Sequence, residues 1–349
     1  MSSKPFGGKI TDAWLAESQK SPHWKNGAFQ NLVETKTAVN WRQIPGILIK
    51  QIKGHPEGNP KSALPVAPFD KDQFLAPSDK SRIIWYGHSA MAMRIHGQTI
   101  LIDPMFGGDA SPVGPVRTRR FSKHSMQWLD HLPDPDLVLI THDHYDHLDY
   151  KSILHLKGKA KHWFVALGVK RHLVYWGIDA STIHEFDWWD ARTFEGIHIT
   201  FTPTRHFSGR GLTSMAKCLW GGWALKTPTE NIWFSGDGGY ADHFTEIGKR
   251  LGPFDFAMME CGQYNTDWAQ IHMFPDEAVK AALDAGVRVA MPVHWAGFNL
   301  SYFHAWYEPA ETFVRHAEEL GLKYVTPALG EIFDANGRSG TWWKTFKDI

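Results

Sequence analysis

The stretch Thr141-His142-Asp143-His144-Tyr145-Asp146-His147-Leu148-Asp149 decides how the chain is read. It follows Asp136-Leu137-Val138-Leu139-Ile140, a short apolar run with the texture of a buried strand. Where that strand ends, His142, His144, Asp146 and His147 crowd into one turn. Side chains in such a turn can converge on one point, and imidazole plus carboxylate is the ligand set that borderline cations such as Zn²⁺ prefer. A polar loop with incidental histidines is the competing reading, and it leaves the His-x-His-x-Asp-His spacing without a cause.

The same texture recurs outward from that turn. Upstream, Arg82-Ile83-Ile84-Trp85-Tyr86, Met91-Ala92-Met93-Arg94-Ile95 and Thr99-Ile100-Leu101-Ile102 read as short strands joined by glycine-containing turns, and Asp103-Pro104 ends the third. His88, in Gly87-His88-Ser89, is expected as a structural histidine beneath the site. Downstream, residues 150–158 read as a helix, Trp163-Phe164-Val165-Ala166-Leu167 as a strand, and residues 169–176 as a helix ended by Gly177. Strands alternating with helices give an α/β pattern. Further helices are expected over residues 275–285 and 311–320, stopped by Gly286 and Gly321.

Three later polar residues share the context of the first cluster, a turn just after a β-run. His206 follows His198-Ile199-Thr200-Phe201-Thr202 across Pro203-Thr204-Arg205. Asp237 lies in Gly236-Asp237-Gly238-Gly239 after Asn231-Ile232-Trp233-Phe234-Ser235, where the glycines leave its carboxylate unencumbered. His294 follows Val287-Arg288-Val289-Ala290-Met291-Pro292-Val293. With the first cluster they make a ligand set large enough for two metals. His142, His144 and His206 would hold one ion, Asp146, His147 and His294 the other, with Asp237 bridging them. Such a pair lowers the pKa of a shared water and polarises an ester oxygen, which is the chemistry of a hydrolase. A lone structural zinc, with a closed and typically cysteine-rich shell, does not fit. A metal-buffering protein would not need a hydroxide-generating pair.

Composition narrows the field. The chain has 349 residues, enough for one large domain or two ordinary ones. Lys+Arg and Asp+Glu are both 37, which argues against a broad nucleic-acid-binding surface. The 20 histidines suit metal chemistry, and the 17 tryptophans suit core, pocket wall or membrane-interface anchors. Cys218 and Cys261 are too few for a disulfide framework, so a reducing, cytoplasmic setting is expected. No apolar run reaches the ~20 residues of a membrane span, and residues 1–12 do not read as a signal peptide. The protein is expected to be soluble, or at most peripheral on the inner membrane surface.

Residues 1–80 are expected to be an extension that packs on a catalytic body of residues 81–349. Pro56, Pro60, Pro65, Pro68 and Pro77 mark extended chain, while Trp14, Trp24, Phe29 and Trp41 argue for packing rather than disorder. The loop Ser111-Pro112-Val113-Gly114-Pro115-Val116-Arg117-Thr118-Arg119-Arg120-Phe121 holds three arginines. Folded inward, Arg117, Arg119 or Arg120 would supplement the field on an anionic substrate; a solvated basic loop is the other reading.

From residue 85 to residue 298 the chain resembles the N-acyl-phosphatidylethanolamine-hydrolysing phospholipase D family of the metallo-β-lactamase superfamily. The matching stretches are Trp85-Tyr86-Gly87-His88, Asp103-Pro104, the histidine cluster, Glu185-Phe186-Asp187-Trp188-Trp189, Thr202-Pro203-Thr204-Arg205-His206 and Leu219-Trp220-Gly221-Gly222-Trp223. They continue through Ser235-Gly236-Asp237-Gly238-Gly239-Tyr240, Glu246-Ile247-Gly248-Lys249-Arg250-Leu251-Gly252-Pro253-Phe254-Asp255 and His294-Trp295. The resemblance implies an αββα sandwich, two zinc ions (with Mn²⁺ or Fe²⁺ as alternatives), and cleavage of a phosphodiester by a metal-bridging hydroxide that attacks phosphorus. It implies the same seven ligands, catalytic roles for Asp146 and Asp237, and His272 as a pocket residue, where the residues alone suggest only a neighbour of a helix cap. It also implies a phospholipid-like substrate, and leaves peripheral membrane contact and a homodimer open. Phe207-Ser208 and Glu260-Cys261-Gly262-Gln263 depart from the animal members, which bears on the substrate more than on the chemistry. The runner-up reading is a lactonase or carboxylic-ester hydrolase on the same metal core.

Overall fold

A computed structural model describes residues 4–36, 53–111, 117–211 and 213–347. Trp41 and residues 112–116, which entered the readings of the N-terminal segment and the arginine loop, lie outside the described residues. The first ordered elements are helix α1 (Asp12–Ser18), a hairpin of β1 (Trp24–Lys25) and β2 (Ala28–Phe29), and helix α2 (Lys71–Leu75). Trp14, Phe29, Leu64 and Phe74 are buried, so this segment contributes side chains to the core rather than only draping over it.

Two seven-stranded sheets form the body. The first runs β16 (Ile332–Phe333), β3 (Arg82–Trp85), β4 (Met91–Ile95), β5 (Gln98–Ile102), β6 (Leu137–Ile140), β7 (His162–Ala166) and β8 (Ile183–Phe186). The second runs β15 (Lys323–Tyr324), β14 (Val289–Val293), β13 (Phe256–Glu260), β12 (Asn231–Phe234), β11 (Gly222–Lys226), β10 (Ile197–Thr202) and β9 (Ala191–Phe194). Both begin with antiparallel hairpins and become parallel where helices intervene, as parallel neighbours require a crossover. The sheets face each other: Phe186 meets Trp223 with ring centroids 5.2 Å apart, and Phe256 meets Phe333 at 6.1 Å. Helices α3 (Trp128–His131), α4 (Tyr150–Leu156) and α5 (Lys170–Tyr175) belong to the first half. Helices α6 (His243–Leu251), α7 (Pro275–Asp284) and α8 (Glu308–Leu320) belong to the second. This is the layered metallo-β-lactamase architecture.

The tryptophan-rich composition resolves mainly into core. Trp85, Trp163, Trp220, Trp223, Trp233, Trp295 and Trp343 are fully buried. The strands expected from apolar runs form within a residue or two of their expected ends. Helix α8 starts one turn earlier than expected, at Glu308, with Pro309 in its first turn. Among the described residues, no helix is long and apolar enough to cross a membrane.

Candidate metal centre

Each candidate ligand sits in the turn after a strand, with β6, β12 and β14 in the parallel parts of their sheets and β10 in an antiparallel part. β6 ends at Ile140 and the chain enters the loop carrying His142, His144, Asp146 and His147. β10 leads to His206, β12 to Asp237 and β14 to His294. Because the two sheets face each other, these ends gather at one edge of the sandwich. Gly236 has φ 66°, and a Cβ there would lie 2.2 Å from the carbonyl oxygen of Gly221, so only glycine lets the Asp237 loop pass that close to its neighbour. His88, Asp103 and His294 also adopt left-handed backbone, at φ 57°, 41° and 70°. Such conformations persist in non-glycine residues only where the surroundings over-determine them, typically at functional sites.

The imidazoles are oriented by their outer nitrogens. His142 Nδ1 lies 2.9 Å from Thr141 Oγ1, His147 Nδ1 lies 2.7 Å from Asp103 Oδ2, and His206 Nδ1 donates to the Ile271 carbonyl at 2.8 Å. Their Nε2 atoms are thereby turned inward, an arrangement typical of metal-ligating histidine. His142 Nε2 and His206 Nε2 then point at His144 Nδ1, at 2.8 and 3.2 Å. His147 Nε2 is 2.9 Å from Asp237 Oδ2 and 3.5 Å from Asp146 Oδ2. His294 Nε2 is 4.0 Å from Asp146 Oδ2, and its Nδ1 is 3.3 Å from Asp237 Oδ1. Burial depresses the pKa of His142, His144, His206 and His294, with neighbouring histidines pushing further the same way at each of them. His147 is the exception: burial lowers it, but Asp237, Asp146 and Asp103 outweigh that and hold it well above the usual range.

These residues suit a cation. A proton on His144 Nδ1 can properly satisfy only one of the two imidazole nitrogens that face it, so the convergence of all three is better met by a cation in a water-poor site. Asp237 Oδ1 and His294 Nε2 are buried with no hydrogen-bond partner, which buried polar atoms rarely tolerate. His142, His144 and His206 group as one set of converging donor atoms, and Asp146, His147 and His294 fall in a second set that also includes His88. His88 is fully buried, with Nε2 2.7 Å from Asp146 Oδ2 and its ring 4.0 Å from that of His294. It lies directly beneath the Asp146 carboxylate.

His144, Asp146, Asp237 and His294 of the set, with His272, line a cavity of about 300 Å³ whose other lining residues are the apolar Phe207, Trp268, Ile271 and Leu300 and the polar Lys36, Gln263, Asp267 and Ser301. His272 stacks on His294 at 5.4 Å and meets His206 edge-on at 5.0 Å, so it is a pocket residue rather than only a cap neighbour. Arg117, Arg119 and Arg120 do not line this pocket. Arg117 and Arg119 are exposed beside a separate cleft with Lys61 and Lys123. Arg120 is buried, and its guanidinium donates to the carbonyls of Tyr86, Gly107 and Met105. Its hydrogen-bonding capacity is committed to fixing a turn, so it does not reach the metal pocket.

Two supporting residues have no signal in the sequence, and a third, Glu260, stands out there only as a departure from the family pattern. Arg210 is buried and donates to the carbonyls of Asp143 and Leu148, at 2.7 and 2.8 Å, clamping both ends of the histidine loop. Asn31 brackets His206, donating to its carbonyl at 2.8 Å and accepting from its N–H at 3.1 Å. Glu260, at the end of β13, holds His272. The first two lie far in sequence from what they support, and no local pattern announces them. For the third, the departing stretch opens on a carboxylate that closes the apolar run Phe256-Ala257-Met258-Met259.

Comparison with known proteins agrees with this geometry. Residues 98–295 match the β-lactamase superfamily domain. An uncharacterized protein of Mycobacterium tuberculosis is 36% identical over 336 residues, covering 94% of this chain and 89% of that one. The N-acyl-phosphatidylethanolamine-hydrolyzing phospholipase D 1 of Caenorhabditis elegans is 32% identical over 331 residues, covering 87% of this chain and 92% of that one. Among solved structures, the metallo hydrolase Igni18 of Ignicoccus hospitalis superposes with a TM-score of 0.56 at 22% identity, over 73% of this chain and 97% of that one.

Proposed function

We propose, for a chain that belongs to the β-lactamase superfamily and within it to the N-acyl-phosphatidylethanolamine-hydrolysing phospholipase D family, a dinuclear phosphodiesterase acting on lipid-like substrates. The chain is a metal-dependent hydrolase of the metallo-β-lactamase fold. The observation that carries the finer reading is the convergence of buried ligand atoms, Asp237 Oδ1 and His294 Nε2 without a hydrogen-bond partner, at a cavity walled in part by Phe207, Trp268, Ile271 and Leu300. In this reading His142, His144 and His206 hold one ion, Asp146, His147 and His294 the other, and Asp237 lies between them. Zinc is the ion that imidazole and carboxylate best suit here, with Mn²⁺ or Fe²⁺ next. When bound, such a pair supplies ionised water at neutral pH and a positive field for an anionic phosphoryl group.

The chain's own residues do the rest. Thr141 and the Ile271 carbonyl fix the tautomers of His142 and His206, so their inward nitrogens carry lone pairs, and Asp103 orients the His147 ring through Nδ1. Asp237 and Asp146 bring negative charge that keeps the site close to neutral once cations enter. Phe207, Trp268, Ile271 and Leu300 exclude water and offer an acyl chain apolar surface, worth about 0.8 kcal/mol per buried CH₂. A phosphodiester, singly charged with two non-bridging oxygens, draws more from a doubly cationic floor than a neutral lactone carbonyl does.

The test is kcat/KM across matched N-acyl-phosphatidylethanolamines and N-acyl lactones. Phosphodiesters should be the better substrates, with efficiency rising with acyl length. Preference for lactones, or indifference to chain length, would overturn the lipid phosphodiesterase reading.

A further inference from the structure

Glu260 is a carboxylate in an unusual place. It is the last residue of β13, an interior strand flanked in parallel by β12 and β14, and it is fully buried. Its strand neighbours Met258 and Met259 and the following Cys261 are fully buried as well. Its backbone N–H donates to Ser235 Oγ at 3.0 Å, two residues before Asp237, and it pairs in register with Val293, which precedes His294. Glu260 therefore stands between the strand ends that deliver Asp237 and His294. A carboxylate there carries a large desolvation cost unless its oxygens are well partnered. One oxygen accepts from the Met273 N–H at 3.1 Å, a need that a neutral amide would meet equally. The other lies 3.1 Å from His272 Nδ1.

That second contact has a geometric consequence. With Nδ1 tied to Glu260, Nε2 becomes the nitrogen of His272 available to the cavity that the ring lines. The ring plane is fixed as well, sandwiched by its 17° stack on His294 and its edge-on contact with His206. A carboxylate behind one imidazole nitrogen, with the other facing the reacting group, is how a positioned proton carrier is built.

We propose that Glu260 is a positioning residue that orients His272, so that His272 Nε2 meets the ester oxygen leaving phosphorus. The inference rests on the phosphodiesterase reading above. In the hydrolysis, the oxygen of water bonds to phosphorus as the bond from phosphorus to the alcohol oxygen breaks. The bonding pair stays on that oxygen, and a proton originating in the attacking water reaches it through Nε2, leaving a phosphomonoester and a neutral alcohol. An alkoxide needs that proton far more than a nitrophenolate does.

The experiment compares wild type, Glu260→Gln and Glu260→Leu on two phosphodiesters, an N-acyl-phosphatidylethanolamine and bis-(p-nitrophenyl) phosphate, with metal content and thermal midpoint measured on each protein. Glu260→Leu should lower kcat on the lipid by roughly 100-fold with KM nearly unchanged, and by less than about fivefold on the nitrophenyl ester. Glu260→Gln, whose single amide oxygen can accept from Nδ1 only by giving up the Met273 N–H, should recover part of the loss. ¹⁵N shifts of the His272 ring supply a readout independent of turnover, with a single Nδ1-protonated state in wild type and a mixture of tautomers in Glu260→Leu. Equal losses on both esters, losses confined to KM or metal content, or ring shifts unchanged by Glu260→Leu would overturn the positioning role. If wild type cleaves neither ester, the phosphodiesterase reading falls separately, and the ring shifts still decide whether Glu260 sets the tautomer.

Discussion

The histidine loop after β6 has two faces, and each carries a cluster that by residue type alone would pass for a metal site. One face presents His142, His144, Asp146 and His147 to the cavity. The other presents Asp143, which meets His172 and Cys218 behind the loop. They differ in how completely their atoms are used. Behind the loop, Asp143 Oδ1 accepts from the Gly209 N–H at 2.7 Å and Oδ2 from His172 Nε2 at 3.2 Å. His172 Nδ1 accepts from the Gly8 N–H at 3.1 Å, and Cys218 Sγ receives Arg171 Nη2 at 3.4 Å. Toward the cavity, inward nitrogens face one another, and Asp237 Oδ1 and His294 Nε2 have no hydrogen-bond partner. Composition does not separate a binding centre from a structural network, but satisfaction of hydrogen bonds does.

Substitutions on the two faces should therefore fail differently. The largest effect is expected at Asp237, where Asp237→Asn keeps the volume but removes the charge that the proposed function sets between two cations. Activity should fall by about a hundredfold or more while the thermal midpoint stays near wild type. Near-normal turnover in that variant would exclude the bridging role.

On the saturated face the loss should appear in stability. Asp143→Ala strands the Gly209 N–H and His172 Nε2 in a buried site beside Arg171, at a cost of about 3 kcal/mol. The denaturant midpoint should drop accordingly, with metal stoichiometry unchanged in the protein that remains folded. Unchanged stability with a lost metal would place a ligand site behind the loop and dissolve the contrast.

The smallest effect concerns acid. Burial, assisted by Arg171 and Arg210 and opposed by Asp143, lowers His172 to about 4. The geometry requires a neutral ring, since Nδ1 already accepts the Gly8 N–H. Above pH 6.5 the ring is neutral in both folded and unfolded chains. Below it the unfolded chain takes up a proton that the folded one refuses, so stability falls as pH drops toward 4, by about 1.4 kcal/mol per pH unit from this residue. Denaturant midpoints at pH 7 and 5 for wild type and His172→Gln should show the shallower slope in the variant. Parallel slopes would mean that His172 is protonated in the fold.

The same contrast explains what could be read from the sequence. The cavity face is legible because its candidate ligands sit in the turns where apolar runs end, so a local pattern of Leu-Val-Leu-Ile before the first cluster, or Ile-Trp-Phe before Asp237, marks the position. Asp143 sits within the motif, yet nothing local says that it points away and meets His172 and Gly8 across the fold. Arg210 and Asn31 act over similar sequence distances on backbone atoms, which carry no side-chain signature. Strands β9 and β11 carry no clear periodicity in the sequence. β9 exposes three of its four residues, and β11 opens on glycine, so neither shows the apolar run that marks a central strand. The arginine loop misled in the opposite sense: its charge suggested substrate contact, while burial and backbone carbonyls claimed Arg120 for the fold.

The central claim is that the open face holds two ions per chain, and elemental analysis of purified, active protein tests it most directly. The account predicts about two first-row divalent ions per chain, zinc foremost, with activity lost on chelation and restored as the second equivalent returns. Full activity with one ion or none would contradict it.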